Sequence, residues 1–253
     1  MNAAIAGDSA PVQAETGAPM LEVKSLRKVF GGLVAVDTIS FDVPENSILG
    51  LIGVNGSGKT TIMNCINGIY LATEGSIKLR GRELIGLKPH EIARLGIGRT
   101  FQVPRLFRRL TLTENLIVPV LDDRRSDREL TEKAEKLLAD VDLYRIRDNY
   151  AEELSGGQQK LVELLRVMML DPDLILLDEP FAGVHPNLCK VFLDQILKLK
   201  DSGKSFILVS HDLTSVYSLS EHLLVLNQGR KIAEGNAREI QTNPDVIEAF
   251  LGR

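Results

Sequence analysis

The chain has 253 residues, of which 44% are hydrophobic and 25% charged, a composition typical of a folded globular protein. It contains 30 Lys and Arg residues against 34 Asp and Glu residues, and the formal net charge of −4 is too small to indicate a general binder of polyanions. Since no run of about 20 apolar residues occurs, the sequence predicts no membrane-spanning helix. Cys65 and Cys189 lie far apart without metal-ligand spacing, which favours a reducing compartment over a disulfide framework.

Residues 1–20 are rich in Ala, Gly and small polar residues and contain neither Lys nor Arg. A secretory signal needs a basic start and a continuous apolar region, and this segment has neither. Residues 1–20 are therefore predicted to be a disordered tail of a cytoplasmic protein, and residues 21–251 a single domain. Met20 is an alternative translation start that the sequence leaves open.

Short apolar runs alternate with helical patterns along the rest of the chain. Residues 48–52, 174–177 and 206–209 are predicted to be buried strands, which indicates an α/β core. Apolar runs between Leu223 and Ala233 flank an Asn-Gln-Gly-Arg turn at residues 227–230, so an antiparallel hairpin is expected there.

Helical spacing dominates two other segments. Strand patterns are missing from about 103 to 165, where a helical insertion is predicted, including a helix that starts near Gln158. Pro244 to Leu251 is predicted to be a closing helix with apolar residues on one face.

Residues 53–60 match the phosphate-binding pattern G-x-x-x-x-G-K-[ST], after a predicted strand and before a predicted helix at 61–69. Glycines let backbone N–H groups surround phosphate oxygens, Lys59 neutralises terminal phosphates, and the Thr60 hydroxyl is placed to ligate Mg²⁺. A glycine-rich turn without a ligand is the weaker alternative. The predicted nucleotide-binding residues of this loop are Gly53, Asn55, Gly56, Ser57, Gly58, Lys59, Thr60 and Thr61.

Polar residues follow two of the predicted strands. Asp178 and Glu179 end the strand at 174–177, and His211 follows the strand at 206–209. Ligands of open α/β sheets gather at the carboxyl ends of strands. Alone, the acidic pair also fits a helix cap, but together with a phosphate loop it predicts Asp178 as a Mg²⁺ ligand and Glu179 as the base that polarises water.

The segment Leu154-Ser155-Gly156-Gly157-Gln158-Gln159, here called the signature segment, identifies a family. With it, residues 21–251 resemble the ATP-binding subunits of ABC transporters. The resemblance implies a P-loop NTPase core with an antiparallel β subdomain and an α-helical insertion, and an enzyme that hydrolyses ATP with Mg²⁺.

The resemblance also implies roles for three further residues. Phe30 is assigned to stack on adenine, with an ordinary core phenylalanine as the alternative. Gln102 becomes the residue that touches Mg²⁺ or the attacking water and senses the membrane partner. His211 becomes the switch histidine that contacts the γ-phosphate.

Ser155, Gly156, Gly157 and Gln158 open a predicted helix, whose free N–H groups suit a second anion. In the family this end acts on the nucleotide of a second subunit, arranged head to tail. The resemblance therefore implies a homodimer, or a heterodimer with a related ATPase, and two nucleotide sites.

Further segments point to a subfamily. Residues 98–107, 64–68 and 243–247 resemble the ATPases of branched-chain amino acid importers, whereas residues 180–184 resemble those of lipopolysaccharide exporters. Import is favoured. His185 departs from the family, which usually has Asp or Asn there, although an imidazole can also form a hydrogen bond.

The family implies separate membrane permease subunits, an external substrate-binding protein and a position on the inner face of the membrane. The segment from Val103 to Leu116 is expected to help receive the permease, although its arginines also fit a solvated basic turn. A soluble ABC ATPase acting on ribosomes or DNA is disfavoured, because such proteins need tandem domains or a long coiled coil, so no nucleic-acid partner is expected. A nucleotide sensor without turnover is disfavoured by the presence of Glu179 and His211.

Overall fold

A computed structural model describes residues 18–251, with the backbone only for Leu251. Met20, assigned above to the tail, is buried, and its carbonyl accepts a hydrogen bond from the Arg80 amide. The ordered part of the domain thus includes at least the last predicted tail residue. Residues 1–17 lie outside the described residues, and so does the prediction of disorder there.

Two sheets form the framework of the molecule. Four antiparallel strands, in the order β2-β1-β4-β5, make the first sheet: β1 (Leu21–Phe30), β2 (Leu33–Val43), β4 (Glu74–Leu79) and β5 (Arg82–Glu83). Six strands, in the order β10-β9-β3-β8-β7-β6, make the second: β3 (Ile48–Gly53), β6 (Ile97–Arg99), β7 (Leu174–Asp178), β8 (Ser205–Val209), β9 (His222–Asn227) and β10 (Arg230–Gly235). Only β10 runs antiparallel to its neighbour in this sheet, for the residues described.

Nine α-helices cover the sheets within the described range: α1 (Lys59–Ile66), α2 (Pro89–Arg94), α3 (Leu112–Ile117), α4 (Asp127–Ala139), α5 (Gly156–Met169), α6 (Pro186–Asp201), α7 (Leu213–Leu219), α8 (Ala237–Thr242) and α9 (Pro244–Leu251). Short 3₁₀ helices occupy Val118–Val120, Tyr144–Ile146 and Ala151–Glu153. No helix within residues 18–251 is both long and apolar enough to cross a membrane.

The central strands are buried on both faces, as their unbroken apolar runs predict. Ile48 and Ile52 of β3 pack into the core under α3 to α6, whereas Leu49 and Leu51 pack into a second core beneath the antiparallel sheet and α1. The predicted strands 48–52, 174–177 and 206–209 are confirmed to within one residue.

The predicted hairpin is confirmed as β9 and β10, and its turn residues Gln228 and Gly229 both have positive φ, which matches the twist of a tight hairpin. Residues 103–165, all of them described, hold α3, α4 and most of α5 and contribute no strand to either sheet. The predicted start of the phosphate-loop helix at 61 is two residues late, because α1 begins at Lys59 inside the motif itself.

The closing helix is also confirmed, but its buried face is narrower than predicted. Val246 is buried, whereas Ile247 is 45% and Phe250 37% exposed. The helix therefore packs against the domain through Val246 and leaves part of the apolar surface of Ile247 and Phe250 exposed.

Candidate nucleotide-binding site

The phosphate loop connects the end of β3 to the start of α1. Gly58 precedes the helix with φ of 107°, and a Cβ atom placed on it would lie 2.7 Å from the Ala35 carbonyl oxygen. Both facts require glycine at this position. Since Gly58 has no side chain to cap the helix, the N–H groups at the start of α1 are open to a ligand, as a phosphate site requires.

Lys59 folds over this loop. Its Nζ atom donates to the carbonyl oxygens of Gly53, at 2.7 Å, and Val54, at 3.0 Å. Burial lowers the pKa of the Lys59 ammonium, while Glu179 and Asp178 oppose that shift through their charge. A phosphate in the loop offers the ammonium stronger, charged acceptors than these two carbonyls.

Beside the loop lies a cavity of about 550 Å³, here called the nucleotide cavity. It brings together the predicted adenine-stacking, phosphate-binding, metal-binding and water-activating residues from four separate segments of the chain. Its lining residues include Phe30, Asn55, Gly56, Ser57, Gly58, Lys59, Thr60, Thr61, Gln102, Asp178, Glu179 and Gln228.

Asp178 ends β7 and is buried against an arginine that sequence reasoning missed. The Arg99 Nη2 atom lies 3.3 Å from Asp178 Oδ2, and its Nη1 atom donates to Asn64 Oδ1 at 2.6 Å. Burial raises the pKa of the Asp178 carboxyl, and Arg99 opposes that shift. In sequence, Arg99 belongs to a segment that resembles the importer ATPases but was assigned no role of its own, and nothing linked it to an acid so far along the chain.

Glu179 has an unusual backbone conformation, and its carboxylate has a well-defined histidine partner. Its φ of 50° lies in the left-handed region, which is unfavourable for a residue with a Cβ atom, and its amide donates to the Val209 carbonyl at 2.8 Å. Its Oε2 atom lies 2.7 Å from His211 Nδ1 and accepts from the His211 amide at 3.2 Å. Because a carboxylate can only accept, Nδ1 carries the proton in this arrangement.

The His211 side chain is 69% exposed and lies beside the nucleotide cavity without lining it. Its predicted placement at the carboxyl end of β8, next to the acidic pair, agrees with the structure. Contact with a γ-phosphate stays a prediction.

Phe30 stands at the edge of the cavity and is 40% exposed, so it is not a core residue. Tyr70 packs edge-on against it with ring centroids 5.1 Å apart, and Lys28 Nζ lies 4.6 Å from its centroid. One ring face of Phe30 is thus supported by the protein while the residue lines the cavity. Tyr70 was missed by sequence reasoning, since its neighbours in the chain carry no motif.

The signature segment begins α5. Ser155 caps the helix: its Oγ accepts from the Gln158 amide at 3.4 Å, and Gln158 Oε1 accepts from the Ser155 amide at 3.0 Å. Gly157 leaves little room for a side chain, because an added Cβ would lie 3.1 Å from Leu188 Cδ1. None of Ser155, Gly156, Gly157 and Gln158 is among the described residues that line the nucleotide cavity, so the structure does not bring this end to the phosphate loop of its own chain.

The oxygen donors of the cavity fit Mg²⁺. Thr60, Gln102 and Asp178 supply a hydroxyl, an amide oxygen and a carboxylate, all hard ligands. Mg²⁺ usually keeps several waters and binds through one or two carboxylates plus substrate phosphates, which suits a site with so few protein donors.

The phosphate loop after β3, the acidic end of β7 and the signature segment that begins α5 define an ATP-binding cassette of the P-loop type. A family model described as "ABC transporter" matches residues 36–182, and one described as "Branched-chain amino acid ATP-binding cassette transporter" matches residues 230–253. The chain belongs to the ATP-binding proteins of ABC transporters, in the branched-chain amino acid group. The predicted family and fold are both confirmed.

Individual relatives agree with this assignment. The high-affinity branched-chain amino acid transport ATP-binding protein BraF of Pseudomonas aeruginosa is 41% identical, over 92% of this chain and 98% of its own. A nucleotide-free ATP-binding cassette from an ABC transporter is 34% identical with a TM-score of 0.85, covering 93% of this chain and all of that one. A dimeric ATP-binding cassette in a post-hydrolysis state, bound to ADP and Pi, is 27% identical with a TM-score of 0.79, over 87% of this chain and 99% of its own.

Proposed function

We propose that this chain is the ATP-hydrolysing subunit of an importer for branched-chain or related amino acids. The observation that carries the proposal is the position of Glu179, which meets the cavity beside Asp178 and Lys59 while its carboxylate is held by His211. A merely nucleotide-binding module has no need of such an arrangement. The branched-chain model at residues 230–253 and the similarity to BraF support import rather than export.

In this mechanism the phosphate loop binds ATP, with Lys59 moving from the loop carbonyls to the terminal phosphates. Mg²⁺, when held by Thr60, Gln102 and Asp178 together with the nucleotide, neutralises negative charge on the phosphates. Glu179 polarises a water molecule for attack on the terminal phosphorus, and His211 orients the Glu179 carboxylate through its Nδ1 proton. Phe30 stacks on adenine.

Completion of the site requires a second subunit. The signature segment is not among the described residues that line the nucleotide cavity of its own chain, so the phosphates bound at its helix N-terminus belong to a partner. Two chains placed head to tail then enclose two ATP molecules, and hydrolysis releases the pair. The dimeric relative bound to ADP and Pi supports the association of two such chains.

A groove next to Gln102 is the proposed receptor for the membrane permease. It has a volume of about 300 Å³ and is lined by Phe101, Phe107, Arg166 and Leu170, among others. Phe107, which lines the groove, exposes 50% of its surface, and Val103, four residues earlier in the chain, exposes 74%. A permease helix in this groove places the chain on the cytoplasmic face of the membrane, with an external binding protein selecting the amino acid.

The proposal is tested in two steps. Purified protein is expected to hydrolyse ATP in the presence of Mg²⁺, and Glu179→Gln is expected to abolish turnover while retaining ATP binding. Membrane proteins that copurify with the subunit are then identified, and the complex is tested for ATP-dependent uptake of labelled leucine. A chain that binds ATP but never hydrolyses it, alone or with its permease, contradicts the proposal.

A further inference from the structure

Lys160 is a buried lysine that the mechanism above does not use. It lies on α5, directly after the signature segment, and is 8% exposed. Its Nζ atom donates to the carbonyl oxygens of Glu179, at 2.6 Å, and Ala182, at 2.7 Å. A side chain of the signature helix therefore holds the main chain of the residue assigned to activate water.

These two bonds close the turn that follows β7. The amide of Glu179 is fixed by the Val209 carbonyl of β8, and its carbonyl is fixed by Lys160, so the peptide groups on both sides of the residue are restrained. Ala182 adds only a long contact of 3.4 Å from its amide to the Glu179 carbonyl. Since Glu179 adopts a left-handed conformation, which is unfavourable for its residue type, such restraints are needed to maintain it.

A purely structural role explains this lysine poorly. Burying an ammonium is costly, and burial lowers the pKa of Lys160 while the nearby charges of Glu179, Glu163 and Asp178 oppose that shift. The hydrogen-bond partners of Lys160 are carbonyl groups and not a carboxylate. The carboxylate of Glu163, on the same helix, accepts instead from the amides of Phe101 and Arg105. An apolar side chain packs here without the desolvation cost but cannot hold the turn.

We propose that Lys160 is a positioning residue for ATP hydrolysis, which holds the backbone of Glu179 so that its carboxylate faces the attacking water. The inference rests on the proposed role of Glu179. It has a second consequence, because α5 begins with the signature segment. A shift of that segment when it contacts the partner's nucleotide is passed to Glu179 of the same chain through the Lys160 side chain. The two nucleotide sites of a dimer are linked in this way.

The test compares Lys160→Met with Lys160→Arg and with a matched control. Met keeps a similar side-chain length but can donate neither hydrogen bond, whereas Arg keeps the positive charge and its N–H donors. Lys133→Met is the control. Lys133 lies on α4 and also donates to a carbonyl, that of Met169 at 3.1 Å, which lies at the far end of α5. Thermal unfolding establishes that each variant is folded, and Lys160→Gln, which removes the charge and carries an NH2 group on a shorter side chain, replaces Lys160→Met if the latter fails to fold.

Lys160→Met is expected to lower kcat roughly tenfold or more, with KM for ATP and ATP affinity within about threefold of the wild type. Lys160→Arg should recover most of kcat, Lys133→Met should retain it, and the Hill coefficient for ATP should fall toward 1 in Lys160→Met. Unchanged kcat in Lys160→Met, a rise in KM alone, or an equal loss in Lys133→Met overturns the inference. If the wild type is active and Glu179→Gln inactive in the same assay, these outcomes leave the proposed function standing. If the wild type shows no turnover, the proposed function itself has failed.

Discussion

The Nδ1 atom of His211 lies 2.7 Å from Oε2 of Glu179, across the carboxyl ends of two neighbouring parallel strands. The two residues are distant in sequence and meet because β7 and β8 pair in register, Asp178 opposite Val209. The imidazole thereby fixes the direction of a carboxylate whose backbone is already restrained. Hydrolysis is expected to depend on both partners.

Removing the imidazole tests this dependence. His211→Ala is expected to lower ATP turnover by roughly 100-fold, a typical contribution of an acid–base group and its orienting partner, while binding of a fluorescent ATP analogue is retained. His90→Ala serves as the control, because His90 is exposed on α2. Full activity in His211→Ala shows that Glu179 needs no orienting partner.

Replacing the aromatic residue at the cavity edge tests the adenine site. Phe30→Ala is expected to weaken ATP binding about fivefold or more, because stacking of a base on an aromatic ring is worth about 1–3 kcal/mol. Phe30→Tyr keeps the ring and should bind normally, and Phe250→Ala on α9 is the control. Calorimetry with ATP measures the affinities, and equal values for Phe30→Ala and the wild type disprove stacking.

His185 begins α6, where its Nδ1 atom accepts from the Asn187 amide at 3.3 Å. Asp at the same position caps a helix at least as well, so His185→Asp is expected to preserve or raise ATPase activity. His185→Ala removes the cap and should cost about 1 kcal/mol of unfolding free energy. Parallel turnover and denaturation measurements separate the effects, and a large loss of turnover in a stable His185→Asp protein reveals a specific role for the histidine.

Much of the site was predictable because its parts are local. The phosphate loop, the acidic strand end at Asp178 and the turn at 227–230 each combine a residue pattern with an adjacent apolar run. The apolar run at 206–209 then placed His211 at the same edge of the sheet. These inferences needed no knowledge of which distant segments touch.

The missed features all depend on contacts between distant segments. Arg99 meets Asp178, and Lys160 meets Glu179, only after the sheet and α5 assemble, and as isolated basic residues they look like solvated ones. The antiparallel sheet was expected from the family but not located in the sequence, because β1 alternates imperfectly and its pairing with β2 contains register shifts. Buried charges of this kind are visible only in three dimensions.

The hairpin of β9 and β10 carries a pH-dependent contribution to stability. Hydrogen bonds from His222 and Lys231 lower the pKa of Glu234 from 4.5 to about 2. A carboxyl with a depressed pKa stabilises the fold above its unfolded pKa and loses that contribution as the pH falls toward its folded value. Glu234→Gln should therefore lower the melting temperature at pH 7, and the difference from the wild type should shrink between pH 4.5 and 2.

Thermal unfolding across that range measures the effect, with Glu248→Gln on α9 as the control. A difference that stays constant with pH contradicts the assignment of the pKa shift to a native-state interaction.

Formation of an ATP-enclosed dimer is the central claim, since the proposed mechanism completes each nucleotide site with the signature segment of a second chain. The most direct measurement is the mass of Glu179→Gln in solution, by light scattering after size exclusion, with and without ATP and Mg²⁺. ATP is expected to convert the 27.9 kDa monomer into a species of about twice that mass, and adding Ser155→Arg to block the signature segment should prevent the conversion without abolishing ATP binding. A protein that binds ATP yet remains monomeric, or that dimerises equally with Ser155→Arg, contradicts the account.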